Sequence, residues 1–144
     1  MKQCGFMYSD GGRTAAGYKG NTGDCVTRSI AIATGKPYQE VYDEINALGS
    51  QERVSKRKTG KSNARTGVYK ATIKKYLELL GWKWIPTMFI GQGCKVHLRA
   101  DELPKGRIIV NLSKHTAAVI DGVIYDTFNP SRGGTRCVYG YFIK

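Results

Sequence analysis

The chain has 144 residues, of which 41% are hydrophobic, and it carries 23 Lys and Arg against 11 Asp and Glu. A chain of this length can bury one hydrophobic core, so we predict a single domain over residues 1–144. No apolar run is long enough to span a membrane, and the residues after Met1 do not form the apolar core of a signal peptide. These features disfavour membrane-embedded and secreted proteins and predict a cytoplasmic one.

The first residues of the chain are rich in glycine, serine and threonine, and we expect residues 1–23 to form an extended arm folded over the body of the protein. Apolar residues then recur at helical spacing from Cys25 to Gly35, which predicts a helix that stops at the glycine. The residues just before it include types that are preferred at helix N-caps: Asn21, Thr22 and Asp24.

Cys25 therefore stands at a predicted helix N-terminus. The unpaired backbone N–H groups and the positive end of the helix dipole favour thiolate over thiol at such a position, and the thiolate is the form that attacks a carbonyl carbon. The simpler interpretation is a buried cysteine in an ordinary helix. The C-terminal third of the chain favours the nucleophile.

Two further helices are expected before the pattern changes. Pro37 opens one that closes at Gly49, and another runs from Val68 to Gly81. Between them, residues 53–65 are basic, polar and without periodicity, which predicts a surface loop.

Short strands follow the helices. The segments with strand character are 83–85, 88–90, 107–112, a hairpin that starts at residue 115, and 137–143. Helices first and strands afterwards predict an α+β fold, with the N-terminal helices packed on a C-terminal antiparallel β-sheet.

The hairpin carries the second and third candidate site residues. Asp121-Gly122 between two β-rich runs is a strong hairpin signal, and the register that this turn sets makes His115 and Asp126 diagonal neighbours. An imidazole held by a carboxylate is the base half of a catalytic triad. Alternation places six side chains on one face of the hairpin: His115, Ala117, Val119, Ile124, Asp126 and Phe128.

The order of these residues resembles the papain-like cysteine peptidase superfamily, and most closely its compact bacterial and bacteriophage members. An Asp24-Cys25 pair starts the first helix, and a later strand carries His115. An Asp-x-x-x-Pro segment then runs from Asp126 to Pro130. The resemblance implies a papain-like fold in which Cys25 is the nucleophile, His115 the base and Asp126 the group that orients the imidazole. The implied activity is that of a cysteine peptidase or a related amide or thioester hydrolase.

The superfamily also implies a Gln or Asn that donates a hydrogen bond to the oxyanion from a position upstream of the cysteine. Lys19 stands six residues before Cys25, where many members carry glutamine. Asn21 is the nearest amide side chain and our candidate donor, with Gln3 and Gln92 as the next candidates. The backbone N–H of Cys25 can supply a second hydrogen bond.

The four cysteines, at positions 4, 25, 94 and 137, are far apart and include no Cys-x-x-Cys pair. We therefore predict neither a disulfide framework nor a four-ligand zinc site. Cys94 and His97 form a two-ligand fragment, but further ligands would have to come from scattered residues, so no metal or other cofactor is predicted. His97 is also a second candidate base, although it has no acid at hairpin spacing.

The net charge of +12 admits two interpretations, a solvated surface or a polyanionic partner. A partner, either nucleic acid or an acidic protein surface, would bind the basic loop through Lys56, Arg57, Lys58 and Lys61. The alternative to an enzyme is therefore a non-enzymatic basic binding protein, on a papain-like scaffold whose site is disused. The loop contains no aromatic residue for base stacking, which disfavours single-strand recognition.

Overall fold

A computed structural model of the protein describes residues 2–19, 23–52 and 60–144. These residues contain three α-helices and six β-strands. The helices are α1 (Cys25–Thr34), α2 (Tyr38–Gly49) and α3 (Lys70–Leu79). The strands are β1 (Gly5–Tyr8), β2 (Lys83–Pro86), β3 (Arg107–Leu112), β4 (His115–Ile120), β5 (Val123–Asp126) and β6 (Gly140–Ile143).

The strands form one sheet in the order β1-β5-β4-β3-β6-β2. The prediction of an α+β fold is confirmed, but the prediction of a purely antiparallel sheet is wrong, because β1 pairs parallel to β5. Part of the predicted arm is thus an edge strand. Its Gly-Phe-Met-Tyr sequence suits a strand, and β5 offers a free edge whose backbone groups need partners.

Two hydrophobic clusters lie on opposite faces of this sheet. Side chains from all three helices pack on one face, against sheet residues that include Ile109, Ala118 and Phe142. The other face is covered by loop residues such as Leu98 and Val138. The middle strands β3 and β4 are therefore buried on both faces.

The predicted helices are confirmed within a few residues. α1 begins at Cys25, and Gly35 ends it in the left-handed conformation, with φ of 75°. α3 starts at Lys70 rather than at Val68. No described helix is both long and apolar enough to cross a membrane.

Two strand predictions are corrected. Residues 88–90 form no strand, and Met88 makes only an isolated bridge with Cys94. The last strand begins at Gly140, while Cys137 forms a separate bridge with His97. Apolar runs this short do not show by themselves whether a partner strand lies alongside.

Part of the described end of the basic loop, residues 60–65, is buried, which its composition does not predict. Residues 53–59 lie outside the described part of the chain, but Ser62 and Ala64 are buried. The backbone carbonyl of Ala64 accepts a hydrogen bond of 2.6 Å from the hydroxyl of Thr27 in α1. The end of the loop is therefore packed into the domain.

The prediction of no disulfide is wrong as well. Cys94 and Cys137, 43 residues apart, are joined by a disulfide bond, whereas Cys4 and Cys25 are free. Sequence spacing could not show this pair, because the two cysteines are brought together by the pairing of two distant loop segments.

Candidate active site

His115 and Asp126 are in direct contact. The hairpin has the predicted register, with Ile120 opposite Val123, which places the start of β4 diagonally across from the end of β5. The Nε2 atom of His115 lies 2.6 Å from Oδ2 of Asp126. The carboxylate thereby fixes the orientation of the ring and leaves Nδ1 as the nitrogen that can exchange a proton with another group.

Cys25 lies beside the ring of His115 and the backbone of Thr116, and all three residues line the same cleft. Burial raises the pKa of the thiol, but the hydrogen bonds and the positive charges of His115 and Arg28 outweigh burial, and the pKa falls below its usual value of 9.0. The structure thus brings together the three residues that the sequence singled out, Cys25, His115 and Asp126.

The pKa of the His115 imidazole is shifted in the opposite direction, upward. Burial lowers the pKa of His115, but its hydrogen bonds to Asp126 and Cys25 raise it to about 9. Opposite shifts in two hydrogen-bonded groups favour the thiolate–imidazolium pair over the neutral pair. Both shifts therefore move the shared proton from Cys25 toward His115.

Asp24 occupies the N-cap position of α1, as predicted, but its side chain makes no capping hydrogen bond. Its buried carboxylate instead receives hydrogen bonds from Nη1 of Arg13 at 3.1 Å, Nη1 of Arg28 at 2.9 Å and the hydroxyl of Tyr38 at 2.7 Å. Arg28 also reaches Asp126, with Nη2 lying 3.4 Å from Oδ1. A buried ionic network therefore connects the first turn of α1 to Asp126, the partner of His115.

Sequence reasoning missed Arg28. A signal existed, because Arg28 stands three residues after Cys25 and four after Asp24, on the same side of a predicted helix. The spacing indicates a pair with Asp24. It could not indicate the contact with Asp126, which depends on how the helix packs on the sheet.

Cys25 lines a cleft of about 340 Å³. The helix N-terminus, the segment 66–68 and the β3–β4 turn form its walls, and Asn111, His115 and Tyr139 line it. Gly23 lets the chain approach closely, since a Cβ there would lie 2.7 Å from the carbonyl oxygen of Thr66. Cys25 and His115 thus line a space large enough for part of a ligand.

The proposed oxyanion donor Asn21 lies outside the described residues. Of the other amide side chains considered from sequence, Gln3 and Gln92 do not line the cleft. Asn111 does, and sequence reasoning overlooked it because a buried strand residue gives no sign of facing a cleft. Its Oδ1 accepts a hydrogen bond of 3.1 Å from the hydroxyl of Thr116, which leaves its NH₂ group as a donor.

No protein-family model, curated protein or solved structure matches this chain. What the site can do must therefore be argued from its own geometry.

The second candidate base, His97, is not at this site. Its Nδ1 atom lies 3.2 Å from Oε1 of Glu102, and it does not line the cleft. A larger cavity, of about 450 Å³, lies between the end of α1 and the segment before β3 and contains neither cysteine nor histidine.

Three of the four basic loop residues named for a polyanionic partner, Lys56, Arg57 and Lys58, lie outside the described residues. Lys61 is described, and its Nζ donates a hydrogen bond of 2.9 Å to the carbonyl oxygen of Ser50. Among the described residues, one group has the chemistry of a metal site: Cys94, His97 and Cys137.

Proposed function

We propose that the protein is a papain-like cysteine hydrolase that cleaves an amide or thioester bond through Cys25, His115 and Asp126. One observation carries the proposal: Cys25, at the helix N-terminus, shares a cleft with His115, whose Nε2 lies 2.6 Å from a buried carboxylate. Nucleophile, base and orienting group occur here in the order that nucleophilic catalysis requires. A cysteine that served only to pack the core would not need an imidazole and a carboxylate beside it.

The first half of the reaction forms an acyl-enzyme. The thiolate of Cys25 attacks the carbonyl carbon, a carbon–sulfur bond forms, and the carbonyl oxygen becomes an oxyanion. When the tetrahedral intermediate collapses, the bond to the leaving nitrogen or sulfur breaks. His115 transfers its proton to the leaving group and becomes neutral.

The second half regenerates the enzyme. Neutral His115 removes a proton from a water molecule, and the resulting hydroxide attacks the thioester carbon. The carbon–sulfur bond then breaks, the acid product leaves, and the thiolate–imidazolium pair is restored. Asp126 stays ionised throughout and keeps the ring in one orientation.

The oxyanion needs hydrogen-bond donors near Cys25. Within the described residues, no side chain caps the first turn of α1, because Asp24 is turned toward arginines. The backbone N–H of Cys25 therefore serves as one donor. An amide side chain, from Asn21 or Asn111, serves as the second.

The charge of the cleft favours negatively charged substrates. Lys70 and Lys114 line it, and none of its described lining residues is an Asp or Glu. A carboxylate close to the scissile bond would meet two ammonium groups in a partly enclosed space. The net charge of +12 adds attraction at longer range.

An acyl-enzyme can be trapped to test the function. We expect an electrophilic acyl-donor probe to acylate Cys25, with a mass increase that maps to this residue and disappears in Cys25→Ala. His115→Ala should fold but acylate far more slowly. Cys4→Ala is the matched control and should react like the parent, because Cys4 does not line the cleft.

Substrate charge is tested with two amide substrates that differ only in Glu against Gln next to the scissile bond. We expect higher kcat/KM for Glu, and a preference that shrinks at high salt and in Lys114→Ala. A folded parent that neither acylates at Cys25 nor cleaves any substrate would refute the hydrolase proposal. If such a protein also bound nucleic acid through Lys56, Arg57, Lys58 and Lys61, it would be the basic binding protein.

A further inference from the structure

Two cysteines and a histidine meet at a second place in the molecule. The sulfur atoms of Cys94 and Cys137 and one ring nitrogen of His97 all lie within 4.8 Å of one another. None of the three lines the cleft of Cys25. In this structure the two sulfurs are joined as a disulfide.

Backbone pairing holds these residues together independently of the disulfide. His97 and Cys137 form an antiparallel bridge. On either side of it, the N–H of Val138 donates to the carbonyl of Val96 at 2.9 Å, and that of Leu98 to Arg136 at 2.8 Å. Reduction would break only the sulfur–sulfur bond and leave two thiols beside an imidazole.

The imidazole of His97 is oriented like that of a metal ligand. Nδ1 lies 3.2 Å from Oε1 of Glu102, whose other oxygen lies 3.0 Å from Nη1 of Arg99. The backbone N–H of His97 also donates to the same carboxylate, at 3.2 Å. A carboxylate that holds one ring nitrogen leaves Nε2 as the nitrogen for a metal, which is the common arrangement around metal-bound histidines.

We propose that the reduced protein binds one Zn²⁺ through Cys94, His97 and Cys137, so that a disulfide and a zinc ion are alternative cross-links at the same point. Two thiolates neutralise the divalent charge, which matters in a chain of net charge +12. Two sulfurs and one imidazole nitrogen select zinc over hard cations such as Mg²⁺ or Ca²⁺. A water molecule would complete the tetrahedron.

A thiol reductant supplies the two electrons that convert the disulfide form into the form that binds zinc. Two molecules of a small thiol reduce the Cys94–Cys137 disulfide to two protein thiols and leave as one small-molecule disulfide. Zinc then displaces one proton from each protein thiol, so binding releases two protons and strengthens as pH rises.

Either cross-link joins the loop after β2 to the segment before β6. This segment continues into the cleft, because Tyr139 lines it and its N–H donates to the carbonyl of Asn111 at 2.9 Å. The cross-link therefore supports one wall of the candidate active site without touching the triad.

The test uses the full chain with Cys25→Ala, so that the candidate nucleophile cannot bind metal. Thiol titration after denaturation should count three free thiols in the reduced protein, those of Cys4, Cys94 and Cys137, and only that of Cys4 in the oxidised protein. We expect the reduced form to take up one equivalent of Zn²⁺ in competition with a chromophoric chelator. Co²⁺ should give the charge-transfer absorption of thiolate ligands.

Ligand variants locate the site. Cys94→Ser and His97→Ala should abolish stoichiometric uptake, and Glu102→Gln should weaken zinc affinity about 10- to 100-fold. Cys4→Ser is the matched control and should bind like the parent, with circular dichroism confirming the fold of each variant.

If a ligand variant fails to fold, the Cys25→Ala protein that carries all three ligands still tests the proposal, because its reduced and oxidised forms can be compared. Zinc uptake by the reduced form and none by the oxidised form supports it. A reduced protein with three free thiols that takes up no zinc overturns it, as does uptake that is equal in Cys94→Ser and the parent. Metal uptake is read without any activity, so this result is independent of the hydrolase proposal.

Discussion

Arg28 and Asp126 lie 98 positions apart in the chain and are joined by a hydrogen bond of 3.4 Å between Nη2 and Oδ1. Arg28 belongs to the helix that begins with Cys25, and Asp126 holds His115. The helix that begins with Cys25 is thus tied directly to the carboxylate that holds His115, and this contact has consequences that can be measured.

Arg28→Ala should lower the free energy of unfolding and raise the pH at which the Cys25 thiol reacts. Its guanidinium is buried between Asp24 and Asp126, so its removal leaves buried carboxylates with fewer partners and should cost about 3 kcal/mol of folding free energy. Because Arg28 also lowers the pKa of Cys25, alkylation of Cys25 should require higher pH. Denaturant unfolding and the pH dependence of alkylation measure the two effects.

Arg13→Ala is the control for that experiment. Arg13 is equally buried and contacts Asp24, and no contact with Asp126 is seen. The Arg13→Ala substitution should destabilise the fold but leave the pH dependence of Cys25 alkylation unchanged. Identical profiles in the two variants would show that Arg28 has a structural role only.

Cys25 should be the single reactive thiol of the oxidised protein. Its pKa is lowered, whereas burial and the charge of Asp101 raise the pKa of Cys4 to about 11. Iodoacetamide at near-neutral pH, followed by peptide mapping, should therefore modify Cys25 alone. Faster labelling of Cys4 would remove the nucleophile from the proposed mechanism.

The orienting acid is tested by comparing two aspartates. Asp126→Asn should lower turnover by about 10⁴-fold, because an amide can hold the ring in the wrong tautomer. Asp121→Asn should change little, since Asn also tolerates the turn's φ of 49° and can still accept the hydrogen bond from the N–H of Gly106. Turnover of both variants is measured on one substrate. A larger loss in Asp121→Asn than in Asp126→Asn would contradict the assignment of Asp126 as the orienting acid.

Hydrolysis should depend on pH through both members of the ion pair. The rate should rise as pH passes upward through the lowered pKa of Cys25 and fall as pH passes about 9, where His115 loses its proton. The two limbs belong to the pair rather than to either residue. In His115→Gln, alkylation should begin only near pH 9.0 or above, because burial still raises the thiol pKa and no imidazole offsets it.

The oxyanion donor is identified by two alanine variants. Loss of a donor to the oxyanion should lower kcat by about a hundredfold or more with KM less affected. We expect this loss in Asn21→Ala or in Asn111→Ala, and single-turnover rates show which. If neither rate changes, the backbone N–H groups of α1 suffice.

The sequence by itself determined the local features of this protein. The N-terminus of α1 at Cys25, its stop at Gly35 and the register of the Asp121-Gly122 hairpin all follow from backbone preferences within a few residues. The register even brought His115 and Asp126 within reach of each other, since a two-residue turn leaves only one pairing.

Only the tertiary structure decided what depends on packing between distant segments. The parallel pairing of β1, the burial of Ala64, the contact of Arg28 with Asp126 and the meeting of Cys94 with Cys137 join residues whose spacing carries no periodic signal. Backbone preference acts over one turn of helix or one hairpin. These contacts instead depend on which apolar faces and strand edges find each other when the sheet closes against its helices.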